Sequence, residues 1–169
     1  DEKLINNFLI ENGLTTVTSS KSIISPNQID IFVPSHNLAI EYNGLYWHNE
    51  TKVNDDYHLN KTELCEKKGI RLIHIFEDEW VNKPDIVKSR LINILGLTKN
   101  KIYARKCIIK EISSQSSKEF LDQNHLQGNR TASIRLGLFY EDELISILTL
   151  AKPRYNKNYD WEIIRFANK

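Results

Sequence analysis

The stretch that most constrains the fold of this sequence contains two short apolar runs. The first run contains an acidic residue, and another acidic residue directly follows the second run. The runs Ile29–Val33 and Leu38–Ile40 flank the segment Pro34-Ser-His-Asn, a pattern that predicts a tight β-hairpin. Because side chains alternate between the two faces of a strand, Asp30 on one strand and Glu41 on the other are expected to converge. Two adjacent carboxylates repel each other unless a cation lies between them, so the pattern indicates a divalent metal site.

The residues that follow the hairpin add a turn and a histidine. In the run Gly44-Leu-Tyr-Trp-His48, the glycine permits a sharp turn, and we expect His48 to lie beside the carboxylates. An imidazole that titrates near neutral pH is suited to act as a general base or as a donor to a leaving oxygen. Tyr46 and Trp47 are candidates to stack on or wedge between bases, with packing in the core as the alternative for Trp47.

The composition is typical of a folded chain with one good core or two small ones. Of the 169 residues, 40% are hydrophobic and 27% are charged, which excludes a disordered chain. No apolar run approaches the roughly 20 residues of a membrane span, and the opening Asp1-Glu-Lys-Leu lacks the pattern of a signal peptide. Cys65 and Cys107 indicate neither a disulfide framework nor a zinc site. We therefore expect a cytoplasmic protein with no membrane partner.

Hydrophobic periodicity and capping residues predict an α/β unit in the first half of the chain. The predicted order is a helix over residues 2–11, the two hairpin strands, a helix from about Asp55 to Lys68, a buried strand at Ile70–Phe76 and a helix from Lys83 to Gly96. The Ser/Thr-rich segment Thr15–Pro26 is predicted to be a connector. This order predicts a three-layer α/β core with a central mixed sheet.

The second half follows a different pattern. Strand-like segments and one helix predict the order βαβββ, at Ile102–Ile112, Ser116–His125, Ser133–Tyr140, Leu144–Leu150 and Trp161–Phe166. No helix follows to cover the last strand, so this α+β segment looks like a domain cut short. With Lys99-Asn-Lys101 as a linker, we expect two domains, 1–98 and 99–169.

The net charge of +1 conceals an asymmetry between these halves. Residues 1–98 contain 10 Lys and Arg against 14 Asp and Glu, a balance of −4, whereas residues 99–169 contain 13 against 8, a balance of +5. A basic half is suited to a polyanion, and solubility is the alternative explanation. The candidate phosphate contacts are Arg130, Arg135, Lys152, Arg154 and Lys157.

A spaced set of residues in the first half, with the strand that follows it, resembles the PD-(D/E)XK nuclease superfamily over roughly residues 1–97. The set comprises Asp30, Glu41, Gly44, Trp47, His48 and the run Gly69–Glu77. It is similar in particular to the very-short-patch-repair-like branch, which includes the EDxHD phage homing endonucleases. The resemblance implies a site built by Glu2, Asp30 and His48 around Mg²⁺ or Mn²⁺. It also implies a site-specific endonuclease acting on double-stranded DNA, as a homodimer or a tetramer, in a prokaryotic or phage-infected cell.

Departures from the superfamily pattern leave alternatives open. The second strand would read Glu-x-Lys but reads Glu41-Tyr-Asn43, so Lys61 on the following helix, with His58 beside it, is expected to supply the missing charge. In the branch a backbone carbonyl at the position of Tyr42 binds the metal, so Glu41 is either a direct ligand or a group beside one. The zinc cluster of the repair enzymes is absent, which argues against a mismatch-repair role.

Plain structural interpretations compete at several of these positions. His58 and Lys61 lie on one helix face, where a position on the surface is the alternative for both. His74 lies inside an apolar strand and is expected to be a structural histidine with satisfied hydrogen bonds. Glu77 is either a member of the site or a solvated strand end.

The second half resembles, more faintly, the front part of an N-acetyltransferase-like fold. The residues that carry this resemblance are Asn124–Gly128, Arg135–Leu138 and Glu162–Phe166. The segment that binds the acyl-CoA pyrophosphate in that fold is missing here. Two functions therefore compete with an endonuclease: a DNA-binding module whose nuclease site has decayed, and the targeting half of an acyltransferase-like DNA-modifying protein.

Overall fold

The structure is a computed structural model that describes residues 1–44 and 56–169. Within these ranges the chain is of the predicted α/β class, with two four-stranded sheets and five α-helices. Its contacts divide it into two compact units, Asp1–Leu91 and Ile92–Lys169, slightly before the boundary expected at residue 98. No helix in the described ranges is long and apolar enough to cross a membrane.

The first sheet is mixed, as predicted, with the strand order β1-β2-β3-β4. In chain order the elements are α1 (Glu2–Glu11), β1 (Val17–Ile24), β2 (Asn27–Val33), β3 (Leu38–Asn43), α2 (Asp56–Glu66), β4 (Arg71–Phe76), α3 (Glu77–Asn82) and α4 (Pro84–Ile94). The strands β1, β2 and β3 pair antiparallel, and β3 pairs with β4 in parallel. The predicted hairpin turns through a short 3-10 helix at Pro34–His36 and then Asn37, whose φ of 46° lies in the left-handed region that Asn tolerates.

Strand β3 lies at the centre of this unit and is buried on both faces. Leu38 and Ile40 are at most 1% exposed on one face, and Ala39 is fully buried on the other. Helix α2 covers the Ala39 face through Cys65, which belongs to the same core cluster as Ala39 and Leu72. Since one helical turn separates Cys65 from Lys61, this packing also turns Lys61 toward the sheet.

Two elements of the first unit differ from the sequence prediction. The segment predicted as a connector contains β1, which pairs with β2 from Val17↔Phe32 to Ile24↔Asn27. Its burial is low and its composition polar, so the strand is formed by the ladder with β2 and not by an apolar pattern. The short helix α3 was not predicted. Its acidic first turn suits a helix N-terminus, and Trp80, 7% exposed, anchors it.

The second unit contains an antiparallel sheet with the order β5-β6-β7-β8 and one helix. Its elements are β5 (Ile108–Glu111), α5 (Ser114–Asn124), β6 (Ile134–Tyr140), β7 (Glu143–Ala151) and β8 (Glu162–Asn168). The predicted order βαβββ is confirmed, although the first strand is shorter than expected because Ala104–Lys106 forms a 3-10 turn. Helix α5 begins at the cap Ser113, whose hydroxyl accepts a hydrogen bond from the Ser116 amide. It packs Phe120 and Leu121 against the sheet.

Candidate active site

The hairpin brings the two predicted acids to the same end of the β2–β3 pair. The β2–β3 ladder pairs Val33 with Leu38 and, two residues further, Ile31 with Ile40. Asp30 and Glu41 are the next residues on their strands, and the negative charge of Asp30 acts on Glu41. At this point the ladder ends, and the amide of Tyr42 donates a hydrogen bond of 2.9 Å to Asp30 Oδ2.

Glu41 forms a buried ion pair with Lys61 of α2. The exposed fractions are 9% for Glu41 and 2% for Lys61, and the Lys61 ammonium donates a hydrogen bond to Glu41 Oε1. The alternative that Lys61 is a surface residue is therefore wrong. The second carboxylate oxygen, Glu41 Oε2, is buried and has no hydrogen-bond partner of normal geometry among the described residues. A buried oxygen without a partner costs about 1–3 kcal/mol, so this atom calls for an explanation.

The charge state of Glu41 is set by opposing influences. Burial raises the pKa of this carboxyl above its usual range, and the negative charge of Asp30 adds to the rise. The hydrogen bond and positive charge of Lys61 oppose the rise in the pKa without cancelling it. Asp30, Glu41 and Lys61 thus form one electrostatic unit at the end of the hairpin.

The first turn of α1 lies within electrostatic reach of this unit. Burial raises the pKa of Glu2, and the charge of Asp30 is the next largest cause. Tyr42 links the same region to β3, because its hydroxyl donates a 2.9 Å hydrogen bond to Asp1 Oδ2. Burial also raises the pKa of Tyr42, assisted by the negative charge of Glu77. Glu2 and Tyr42, both predicted site members, are therefore close to the carboxylates.

A cluster of hydrogen-bonded polar side chains, which the sequence did not predict, lies beside the ion pair. His74 is the β4 partner of Glu41 in the sheet register. Its Nδ1 is 3.1 Å from Asn43 Nδ2, and its Nε2 is 3.3 Å from Thr62 Oγ1. Because the Asn43 amide donates, Nδ1 accepts and Nε2 carries the proton toward Thr62, whose hydroxyl in turn donates to the His58 carbonyl at 2.8 Å.

This arrangement requires a neutral His74, and the local environment favours that form. Burial lowers the pKa of His74, and His58 and Lys61 lower it further. The expectation of a structural histidine with satisfied hydrogen bonds is confirmed. The His58 ring meets the His74 ring edge to face, with centroids 5.3 Å apart, so His58 lies next to the ion pair.

The remaining predicted residues lie outside the described ranges or in the second unit. Tyr46, Trp47 and His48 lie outside the described residues. In the second unit, Arg130, Lys152 and Arg154 line one depression. Two other predicted phosphate contacts instead bond to the backbone: Arg135 donates to the Ala132 carbonyl at 2.5 Å, and Lys157 donates to the Pro153 carbonyl at 2.6 Å.

The carboxylates offer a donor set that suits a hard divalent cation. Among the described residues no group of three or more His, Cys, Asp or Glu could hold a metal ion. Mg²⁺, however, keeps several waters and is commonly held by one or two carboxylates together with substrate phosphates. Asp30 and Glu41 supply two carboxylates at the same end of the hairpin, so the chemistry of this donor set fits such an ion.

No family model and no curated protein matches the chain. A solved structure, the catalytic domain of the homing endonuclease I-Bth0305I, is similar to it, with a TM-score of 0.47 and 26% identity. The likeness covers 56% of this chain and 92% of that chain. Because the agreement is partial, the residues of the site, and not this likeness, carry the proposal below.

Proposed function

We propose that the first unit is a metal-dependent endonuclease that hydrolyses phosphodiester bonds of double-stranded DNA. The observation that carries this proposal is the buried Glu41–Lys61 pair, with Asp30 just past the end of the β2–β3 ladder and Glu41 Oε2 without a partner of normal geometry among the described residues. A buried ion pair is weak evidence for a stabilising role, because desolvation offsets its attraction. Charged groups that are buried and leave an oxygen unsatisfied are more typical of functional sites.

The proposed reaction is the attack of water on a phosphodiester phosphorus. A bond forms between the water oxygen and phosphorus, the bond to the leaving oxygen breaks, and that oxygen takes up a proton. The products are one phosphate monoester and one hydroxyl group. Asp30 and Glu41, with Glu2 and the Tyr42 carbonyl, would hold Mg²⁺ or Mn²⁺, which supplies polarisation of the phosphoryl oxygen and a lower pKa for water.

The protein's own residues have distinct parts in this proposal. Lys61 favours the carboxylate form of Glu41 through the hydrogen bond to Oε1, and its charge favours the negative charge that develops on phosphate. His58, whose ring meets that of His74, and His48, four residues after Gly44 in the sequence, are the candidates for proton transfer as base or donor. Asp30 has a fixed position in the site, because the Tyr42 amide donates a hydrogen bond to its carboxylate.

Lys61 also bears on the choice between an active and a decayed site. The decayed-module alternative rests on the absence of lysine at position 43. The pair of Lys61 with Glu41 supports a relocated lysine, and with it an active site. The acyltransferase alternative gains no support from the residues of the first unit.

Incubation with supercoiled plasmid tests the proposal. We expect nicking or linearisation with Mg²⁺ or Mn²⁺ and none with EDTA, and loss of cleavage in Asp30→Asn but not in the matched exposed variant Asp85→Asn. Cleavage that persists in Asp30→Asn would exclude this site. DNA binding without cleavage of plasmids or oligonucleotides by any divalent ion would instead support the decayed module.

A further inference from the structure

The surface of the second unit has a groove where β7 ends and β8 begins. Two adjoining depressions, of about 490 Å³ and about 230 Å³, share Tyr155 and Glu162. The larger is bounded by Arg130 and Thr131 before β6, and both are bounded by the segment that connects β7 to β8. The two depressions therefore adjoin, and together they are called the groove.

Positive charge dominates the larger depression. Its lining contains four basic side chains and one acidic side chain, namely Arg130, Lys152, Arg154, Arg165 and Glu162. Glu162 is engaged by the Arg154 amide at 3.1 Å, and Arg165 is fixed by a 3.1 Å bond to the Gly128 carbonyl. Arg130, Lys152 and Arg154 are exposed and form no ion pair with any described residue. Their charge therefore faces solvent, where a polyanion can reach it.

Two lysines elsewhere in the same unit lie within ion-pair distance of acids. Lys110 pairs with Asp142 at 3.9 Å, and Lys169 pairs with Glu143. In the groove, by contrast, Arg130, Lys152 and Arg154 form no ion pair with a described residue. The groove therefore brings together three basic side chains whose charge faces solvent.

Exposed aromatic side chains flank the basic groove. Tyr155 is 85% exposed, Tyr159 67% and Trp161 43%, and all three line the smaller depression. The Lys152 ammonium lies 4.4 Å from the centroid of the Trp161 ring. Large aromatic rings in water cost free energy, and several of them in one groove beside unpaired cations mark a binding surface.

We propose that this groove binds single-stranded nucleic acid. Phosphates would contact Arg130, Lys152 and Arg154, and successive bases would stack on Tyr155 and Tyr159. Positive grooves with aromatic platforms bind single strands in this way, since every base has a π-face. A duplex hides the faces of its bases, so stacking on these rings would be specific to an unpaired strand. All residues of this groove belong to the second unit, so the inference does not depend on the proposed metal site.

Fluorescence anisotropy with labelled oligonucleotides tests the inference on the full chain in EDTA, where no cleavage occurs. The probes are a dT 12-mer, an rU 12-mer and a DNA duplex of 12 base pairs. We expect Tyr155→Ala to weaken single-strand binding by roughly 5- to 100-fold, and to change duplex binding much less. Arg154→Ala should weaken binding of all three probes and reduce the salt dependence of single-strand binding by about 0.7 in the log–log slope.

Matched variants make the test decisive. Tyr103→Ala removes another exposed tyrosine of the unit, and Lys118→Ala removes a surface charge from α5; neither should change the affinity. Melting curves exclude unfolding as the cause of any loss. Equal loss of single-strand and duplex binding in Tyr155→Ala, or no loss in either, would overturn the inference. So would tight binding of a free nucleotide cofactor, such as coenzyme A, that displaces the oligonucleotide.

Discussion

Lys61 in the first unit and Lys152 in the second carry the same ammonium group in opposite surroundings. Lys61 is 2% exposed and hydrogen-bonded to a carboxylate, whereas Lys152 is exposed and lies over an aromatic ring. Charges in a buried site interact strongly at short range because little water screens them. Exposed charges are screened by salt within about 10 Å but remain accessible to a large polyanion.

The comparison indicates how one chain can divide two tasks. The buried charges of Glu41 and Lys61 suit a site that acts on one bond, because their geometry is fixed by packing. The exposed charges of Arg130 and Arg154 suit a surface that holds a flexible strand, because their side chains can follow it. The buried set should therefore be sensitive to substitution and insensitive to salt. The exposed set should tolerate substitution better and depend more strongly on salt.

The largest expected effect is on the stability of the first unit. We expect Lys61→Met to lower the free energy of unfolding by about 3–5 kcal/mol, because it leaves Glu41 buried without its partner. The double variant Glu41→Leu/Lys61→Met should recover most of the loss. Urea denaturation followed by circular dichroism measures both. A loss below about 1 kcal/mol in the single variant would show that the pair is not held in a buried environment.

The next effect separates chemistry from folding. Asp30→Asn keeps an oxygen that can accept the hydrogen bond of the Tyr42 amide but removes the charge. We expect plasmid cleavage to slow by roughly 100- to 1,000-fold, while the stability stays within about 0.5 kcal/mol of the parent protein. Single-turnover cleavage and urea denaturation supply the two numbers. A variant that loses activity only in proportion to its stability would contradict a chemical role.

A smaller effect concerns the pH dependence of stability. The folded pKa of His74 is lowered, so the unfolded chain binds the proton more readily. The contribution of this residue is present above its unfolded pKa of about 6.5 and is lost as the pH falls through the folded value. We expect His74→Gln to lose less stability than the parent protein between pH 7 and pH 5. Identical pH profiles in EDTA would contradict this assignment.

The smallest effect tests the exposed side of the comparison. Lys169 pairs with Glu143 as Lys61 pairs with Glu41, but the two side chains of this pair are 60% and 55% exposed. Exposed pairs contribute about 0–1 kcal/mol, so Lys169→Met should change the free energy of unfolding far less than Lys61→Met does. High salt should remove the small remaining difference in the free energy of unfolding between Lys169→Met and the parent protein. A loss as large as that of Lys61→Met would break the distinction between the two units.

The elements that place the carboxylates were accessible from the sequence because their signals are local. The hairpin pattern placed Asp30 and Glu41 at the same end of β2 and β3, and the helical period set Lys61 on the same helix face as Cys65, which packs on the sheet. Strand β1 was missed because its polar residues form a strand only by pairing with β2. Pairing with β2, and not the composition of β1, therefore determines the structure of this strand.

The parts of the site that escaped prediction join residues far apart in the chain. The hydrogen bonds of His74 reach Asn43 on β3 and Thr62 on α2, and no local period connects these three positions. Arg165 joins the groove of the second unit in the same way, because β8 runs beside β7. The identity of the basic residues was visible in the sequence, but their common groove depends on the sheet.

The outer strands of the second sheet have a practical consequence for handling the protein. β5 and β8 form its two edges, and Ile108, Ile109 and Ile163 on them are 63%, 67% and 63% exposed. Apolar edges of this kind can recruit an extended segment of a neighbouring molecule and so begin fibril growth. Lys110 and Arg165 interrupt these runs with like charges that keep approaching copies apart. Since high ionic strength weakens that repulsion, concentrated stocks are best stored at low salt.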